Sequence, residues 1–164
     1  MLIKIDDIKS TPAVLALISL HVAEINRMVD SCDVLDVSSL QASNVTFYSA
    51  WEGPELMGIG ALKELSPTHG EVKSMRTVET HFRKGVGRAM AEHLINMAKE
   101  RGYTRLSLET GKDASFESAR GFYTNMGFEF CDPYGDLPPC PDSSFMTLKL
   151  EAEVEQPANL NGRY

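Results

Sequence analysis

The chain has little cysteine, one tryptophan and no long apolar run. Cys32, Cys131 and Cys140 are three in 164 residues and show no metal-ligand spacing. An odd, low count reads as reduced thiols of a cytosolic protein, neither a disulfide framework nor a zinc site, so no metal is expected. No stretch approaches the roughly 20 apolar residues a membrane helix needs. The opening MLIKIDDIKS has no apolar core of the secretory kind. These absences predict a cytoplasmic protein. Excess positive charge is also missing. A net charge of −7 argues against nucleic acid or an anionic membrane as the partner, and leaves room for an amine-bearing substrate.

What remains is an ordinary globular composition of one-domain length. Residues 1–150 are expected to form a single domain. The polar tail 151–164 is expected to be disordered. Strands are predicted at Leu2–Asp6, Val45–Glu52, Leu56–Leu65, Glu71–Val78, Thr104–Thr110, Phe128–Asp132 and Phe145–Leu150. The first of these is followed by a helix from Thr11-Pro12 to about Met28, with Val14, Leu17, Ile18, His21, Val22 and Ile25 on one face. A short helix follows near Val37–Gln41. Lys84–Arg101 is strongly amphipathic, with Val86, Met90, Leu94 and Met97 at helical spacing and Gly102 as its cap. Ser115–Met126 is a further helix, ended by Gly127. The order β-α-(α)-β-β-β-α-β-α-β-β gives an α+β class, a mixed sheet flanked by helices.

The informative stretch is EVKSMRTVETHFRKGVGRAM, Glu71 to Met90. A strand ends, a short loop carries Arg83, Lys84, Gly85 and Gly87, and a long helix begins. A helix N-terminus offers unpaired N–H groups and the positive end of its dipole. Glycines allow close approach, and Arg83, Lys84 and Arg88 add positive charge. That combination suits a phosphate or pyrophosphate. Simple capping and tight packing is the competing explanation of the two glycines. Neither G-x-x-x-x-G-K-[ST] nor G-x-G-x-x-G is present.

The segment Phe82-Arg83-Lys84-Gly85-Val86-Gly87 resembles the pyrophosphate loop of the GCN5-related N-acetyltransferases, [QR]-x-x-G-x-[GA], with Phe82 at the Gln/Arg position. A second block, Ala119, Phe122, Tyr123, Gly127 and Phe128, resembles that family's N-x-x-A-x-x-[LF]-Y-x-x-x-G-F segment, with Phe116 in place of Asn. The stretches Gly60–Leu65 and His69–Thr77 are similar to uncharacterised bacterial members of the small-molecule branch. The resemblance covers roughly residues 2 to 150.

It implies a mostly antiparallel twisted sheet whose fourth and fifth strands splay apart, with acetyl-CoA as co-substrate. It implies that Met75, Arg76, Thr77 and Val78 pair with the pantetheine arm, that Arg83, Lys84, Gly85, Val86, Gly87 and Arg88 take the pyrophosphate, and that Asn125 reaches the distal phosphate. Val78 N–H is then a candidate oxyanion donor. Tyr123 is a candidate acid toward the leaving sulfur, or a core tyrosine. Glu71 and Glu109 are alternative bases. His69, His81 and His93 are expected at the surface, and His21 packed or lining an acceptor pocket. Cys131 reads as a strand filler. Asp30, Asp33 and Asp36 read as a polar loop or an attractor for a cationic substrate. The implied reaction is direct transfer of an acetyl group to a small-molecule amine. The alternative is a non-catalytic acyl-CoA sensor or interaction module on the same fold. A homodimer is compatible with the resemblance.

Overall fold

In the computed structural model, residues 1–28, 36–135 and 140–151 are described. Asp30, Asp33, Cys32 and the expected disordered tail from residue 152 on lie outside them. The described elements are β1 (Leu2–Ile5), α1 (Pro12–Met28), a 3-10 turn (Val37–Gln41), β2 (Val45–Glu52), β3 (Glu55–Ser66), β4 (His69–Thr77), a 3-10 turn (Glu79–His81), α2 (Val86–Glu100), β5 (Arg105–Gly111), a 3-10 turn (Ala114–Phe116), α3 (Glu117–Asn125), β6 (Glu129–Cys131) and β7 (Ser143–Lys149). The element order is the one the sequence predicts, and the class is α+β. The differences lie at the ends. β4 begins at His69, because Pro67-Thr68 alone makes the turn. α2 begins two residues later than expected, because Gly85 adopts a left-handed conformation (φ 81°) and stands before the first helical residue. Such a φ is costly for any residue with a Cβ.

The sheet runs β1-β2-β3-β4-β5-β7-β6. Every neighbouring pair is antiparallel except β4 and β5, which run parallel. Alternation along the strands sorts their side chains onto two faces. Tyr48, Leu62, Val72, Leu106, Leu108 and Met146 pack with Val86, Met90, Leu94 and Ala98 of α2 and with Tyr123 of α3. Phe47, Ile59 and Ala61 face the other way, onto Val14 and Ile18 of α1 and Leu40 of the first 3-10 turn. This second core ends at β4. Beyond it the α1 face of the sheet carries polar residues, and that change of character marks the site.

Candidate active site

Two features open a cleft between β4 and β5. The parallel pairing covers only three registers, His69 with Arg105, Gly70 with Leu106 and Glu71 with Ser107. Past Glu71 and Ser107 the strands have no mutual ladder, although β4 continues to Thr77 and β5 to Gly111. β4 also bulges there. Ile59 pairs with Arg76 and Ala61 with Lys73, so Ser74 and Met75 together oppose Gly60. Ser74 takes a positive φ of 54°. A bulge bends its strand and raises the local twist, which turns the end of β4 away from β5.

The backbone at the end of β4 divides its hydrogen bonds. Val78 N–H donates to Met57 O at 2.9 Å. That corrects the reading of this N–H as a free oxyanion donor: it completes the ladder with β3. In an antiparallel pair, orientation alternates residue by residue. Arg76, partnered with Ile59, therefore also faces β3. Thr77 turns its N–H and C=O toward the cleft, where no strand lies beside it.

The loop into α2 stands at the mouth of this cleft. Arg83 (φ 62°) and Gly85 (φ 81°) both take left-handed backbone. Gly85 supplies no side-chain cap, and its carbonyl accepts the first helical bond, from Ala89 N–H at 3.0 Å. The N–H groups of Val86, Gly87 and Arg88 accordingly have no partner inside the helix. A Cβ on Gly87 would stand 3.6 Å from Thr77 Oγ1 and 4.0 Å from Phe122 Cζ, so the backbone of Gly87 faces the space between β4 and α3. Arg83, Lys84 and Arg88 are exposed. Arg88 Nε donates to Glu92 Oε1 at 3.0 Å.

His81 is buried, contrary to the surface position expected of it. It contacts Glu55 Oε1 through Nε2 at 2.8 Å and Lys84 Nζ through Nδ1 at 3.4 Å, which ties the loop to β3. Phe82 is exposed. Phe116 lies against the backbone of Gly111. A Cβ there would come within 2.2 Å of its ring, so the phenyl group occupies the end of β5. Asn125 is the exposed last residue of α3.

Tyr123 is buried in T-shaped contact with Phe122 and Phe128. Burial raises its pKa well above the phenol value, so the group keeps its proton. Glu71 is 2% exposed. Its Oε2 accepts from Tyr134 Oη at 2.6 Å. Lys73 Nζ stands 3.3 Å from Oε1, balancing the charge without a well-directed hydrogen bond to that oxygen.

Tyr134 is the residue that sequence reasoning missed, because a tyrosine in a proline-rich loop carries no periodic signal. Its own pKa is pushed up by burial and then by the Glu71 carboxylate. His69 is also half-buried, not a surface residue. Its Nε2 is 2.7 Å from Ser107 Oγ, which in turn meets Thr147 Oγ1 at 2.9 Å. Burial and then Arg105 lower its pKa. Glu109 is exposed and accepts from Ser143 Oγ at 2.6 Å. Glu71 and Glu109 thus share the α1 face of the sheet, on opposite sides of the cleft, in different surroundings.

His93, expected on a helix surface, packs edge-on against Tyr48 at 4.7 Å. Cys131 is a free thiol whose pKa burial raises, in keeping with a strand filler. Cys140 is disulfide-bonded, which corrects the expectation of three reduced thiols. Spacing along a chain does not report which cysteines the fold brings together.

The family model for the GNAT acetyltransferases matches residues 17–128. The chain belongs to the GNAT acetyltransferase family. Its relatives include the uncharacterised N-acetyltransferase YsnE of Bacillus subtilis (strain 168), 49% identical over 152 residues, covering 92% of this chain and 100% of the relative. The uncharacterised N-acetyltransferase YedL of Escherichia coli (strain K12) is 42% identical over 157 residues, covering 94% and 98%. Among solved structures, an inferred acyl-CoA N-acyltransferase from Klebsiella pneumoniae superposes with a TM-score of 0.76 at 24% identity, covering 92% of this chain and 97% of that one. A GNAT acetyltransferase from Elizabethkingia anophelis with acetyl-CoA bound gives 0.69 at 20% identity, covering 91% and 97%. The last two likenesses show the fold. This GNAT chain is an acetyl-CoA-dependent N-acyltransferase, and its parallel-paired, splayed strands are the GNAT sheet. No helix among the described residues is long and apolar enough to cross a membrane.

Proposed function

We propose that the chain transfers the acetyl group of acetyl-CoA to the amine of a small molecule by direct attack in the β4–β5 cleft. The observation that carries this reading is the end of strand pairing at Glu71 and Ser107, beside a helix N-terminus whose first-turn N–H groups are unpartnered within the helix. Val86, Gly87 and Arg88 N–H, with Arg83 and Lys84 around them, suit the pyrophosphate. Thr77 C=O suits the amide-rich pantetheine arm, with Met75, Arg76 and Val78 fixing the strand that presents it. Thr77 N–H replaces Val78 N–H as the donor aimed at the developing oxyanion. Asn125 is kept as a contact to the distal phosphate.

Chemistry at this site needs a neutral amine and a proton for the leaving thiolate. Tyr123, held protonated by burial, donates that proton. The ammonium of the acceptor loses its proton to a carboxylate directly or through water. Glu71 fills that role better than Glu109, because its Oε1 is buried without a directed hydrogen bond while Tyr134 fixes Oε2. Lys73 Nζ stands 3.3 Å from Oε1.

The test is calorimetric titration with acetyl-CoA and dephospho-CoA, wild type against Gly85→Asp, followed by thiol release over a panel of small amines. Micromolar binding lost in the variant, with turnover on at least one amine, supports the reading. Binding without turnover on any amine leaves a coenzyme-binding module and sinks the small-molecule assignment.

A further inference from the structure

The α1 face of β4 presents Glu71, Lys73 and Arg76 in succession, and α1 brings His21 and Glu24 over the last of them. Arg76 Nη1 donates to Glu24 Oε2 at 2.5 Å. That bond uses one of the guanidinium's five donors. Arg76 Nε is buried with no partner among the described residues, and so are His21 Nδ1 and Ser74 Oγ at the bulge. Buried polar atoms forfeit water, and nearly all in folded proteins regain a partner. Arg76 Nε and His21 Nδ1, on residues whose electrostatics are coupled, show that the described residues give this guanidinium one acceptor, Glu24.

The charge balance narrows what a second acceptor can be. Lys73 is committed to Glu71 at 3.3 Å. His21 is neutral, because burial and the adjacent Arg76 charge lower its pKa to about 4. Arg76 is therefore the cation at this end of the face. Its side chain is 24% exposed, and that of its partner Glu24 is 25% exposed. The ion pair is open to a ligand at the rim while its Nε side is sealed. Glu24, Glu71 and Glu109 disfavour a doubly charged anion. A planar, singly charged group suits the guanidinium fork best.

The geometry points to Arg76 as the seat of a carboxylate on the acceptor, which makes the acceptor an amino acid or other amino carboxylate. This rests on the reading of the cleft as a small-amine acetylation site. Glu24 is a positioning residue that holds the fork. The amine end of the acceptor reaches back toward Glu71 and the cleft.

The experiment compares α- and ω-amino acids with their decarboxylated counterparts, such as phenylalanine with phenethylamine and 4-aminobutyrate with propylamine. Acetyl-CoA-dependent thiol release is measured for wild type, Arg76→Lys and Arg76→Gln. The expected wild type prefers the carboxylate member of its best pair by about tenfold or more in kcat/KM, the discrimination one charged contact supplies. Arg76→Gln abolishes that preference, raising KM for the carboxylate member well beyond any change on the decarboxylated amine, and Arg76→Lys restores part of it. Equal or better use of the decarboxylated amines by wild type overturns the inference and leaves the acetylation reading standing. An equal loss on both members in both variants, with a lowered melting temperature, also overturns it, since Arg76 is then only a strut. No turnover on any pair overturns both. Acetyl-CoA affinity, measured alongside, shows whether each variant is folded.

Discussion

Replacing Gly87 by alanine separates stability from coenzyme binding. Gly87 is the second residue of α2, and its glycine is not demanded by backbone strain, since the positive φ values in this loop belong to Arg83 and Gly85. An added Cβ meets Thr77 Oγ1 at 3.6 Å and Phe122 Cζ at 4.0 Å, both ordinary contacts. Alanine in a helix is worth up to about 1 kcal/mol over glycine, somewhat less near an end. We expect the free variant to gain about 0.5–1 kcal/mol, a rise of about 1–4 °C in Tm for a chain of this size. The same methyl group stands over the N–H groups that suit the pyrophosphate. Losing or lengthening one hydrogen bond to an ionised group costs about 1.5–3 kcal/mol, or tenfold and more in Kd. With acetyl-CoA at 100 times the wild-type Kd, ligand stabilises wild type by about 2.7 kcal/mol and a tenfold weaker binder by about 1.4. The order of the two melting curves therefore reverses on adding acetyl-CoA. Scanning fluorimetry with and without ligand reads this directly, and calorimetry gives the Kd. A Tm that rises with Kd within twofold of wild type refutes the role given to the α2 N-terminus. A Tm that falls refutes the packing argument.

Three further outcomes are expected. Glu71→Gln should lower kcat by about 10²–10⁴ with acetyl-CoA affinity unchanged; if Glu109→Gln does this instead, the base is Glu109. Gly111→Ala, whose Cβ would fall 2.2 Å from the Phe116 ring, should destabilise by about 1–3 kcal/mol in urea unfolding, and Phe116→Ala in the same chain should recover part of it; no loss would mean the ring swings away freely. His21, with a folded pKa of about 4 against 6.5, binds its proton more readily when unfolded, so its contribution is complete above pH 6.5 and is lost as pH falls toward 4. Between pH 7.5 and 4.5 this amounts to on the order of 2 kcal/mol, and His21→Gln should flatten the difference in urea midpoints by that amount, whereas equal slopes would place the ring in contact with water.

The sequence reported most faithfully what is periodic or local. α1 and the Val37–Gln41 turn stand where the pattern put them, since each is set by neighbouring residues. The Gly85-Val86-Gly87 loop also carries its own signal, because a left-handed residue before a helix calls for glycine. What the sequence hid depends on long-range register. Val78 N–H is spent on Met57, and no local pattern tells which of two successive N–H groups will face the cleft. The bulge at Ser74 and Met75 decides that, and it shows only as a slip against β3. Tyr134 meets Glu71 across 63 positions of sequence, and His69 meets Ser107 across 38. Two of the three histidines expected at the surface, His69 and His81, sit beside turns, where exposure is the rule. Each instead finds one polar partner brought in by the fold, Ser107 and Glu55. The family resemblance singled out the loop proposed for the coenzyme because its residues lie within one stretch of chain. The proposed acceptor side draws on α1, β4, β5 and the loop bearing Tyr134, and for such a site side-chain identity acquires chemical meaning only after folding. That is why Arg76, counted from sequence among the strand residues alongside the pantetheine, turns its backbone to β3 and its guanidinium to α1.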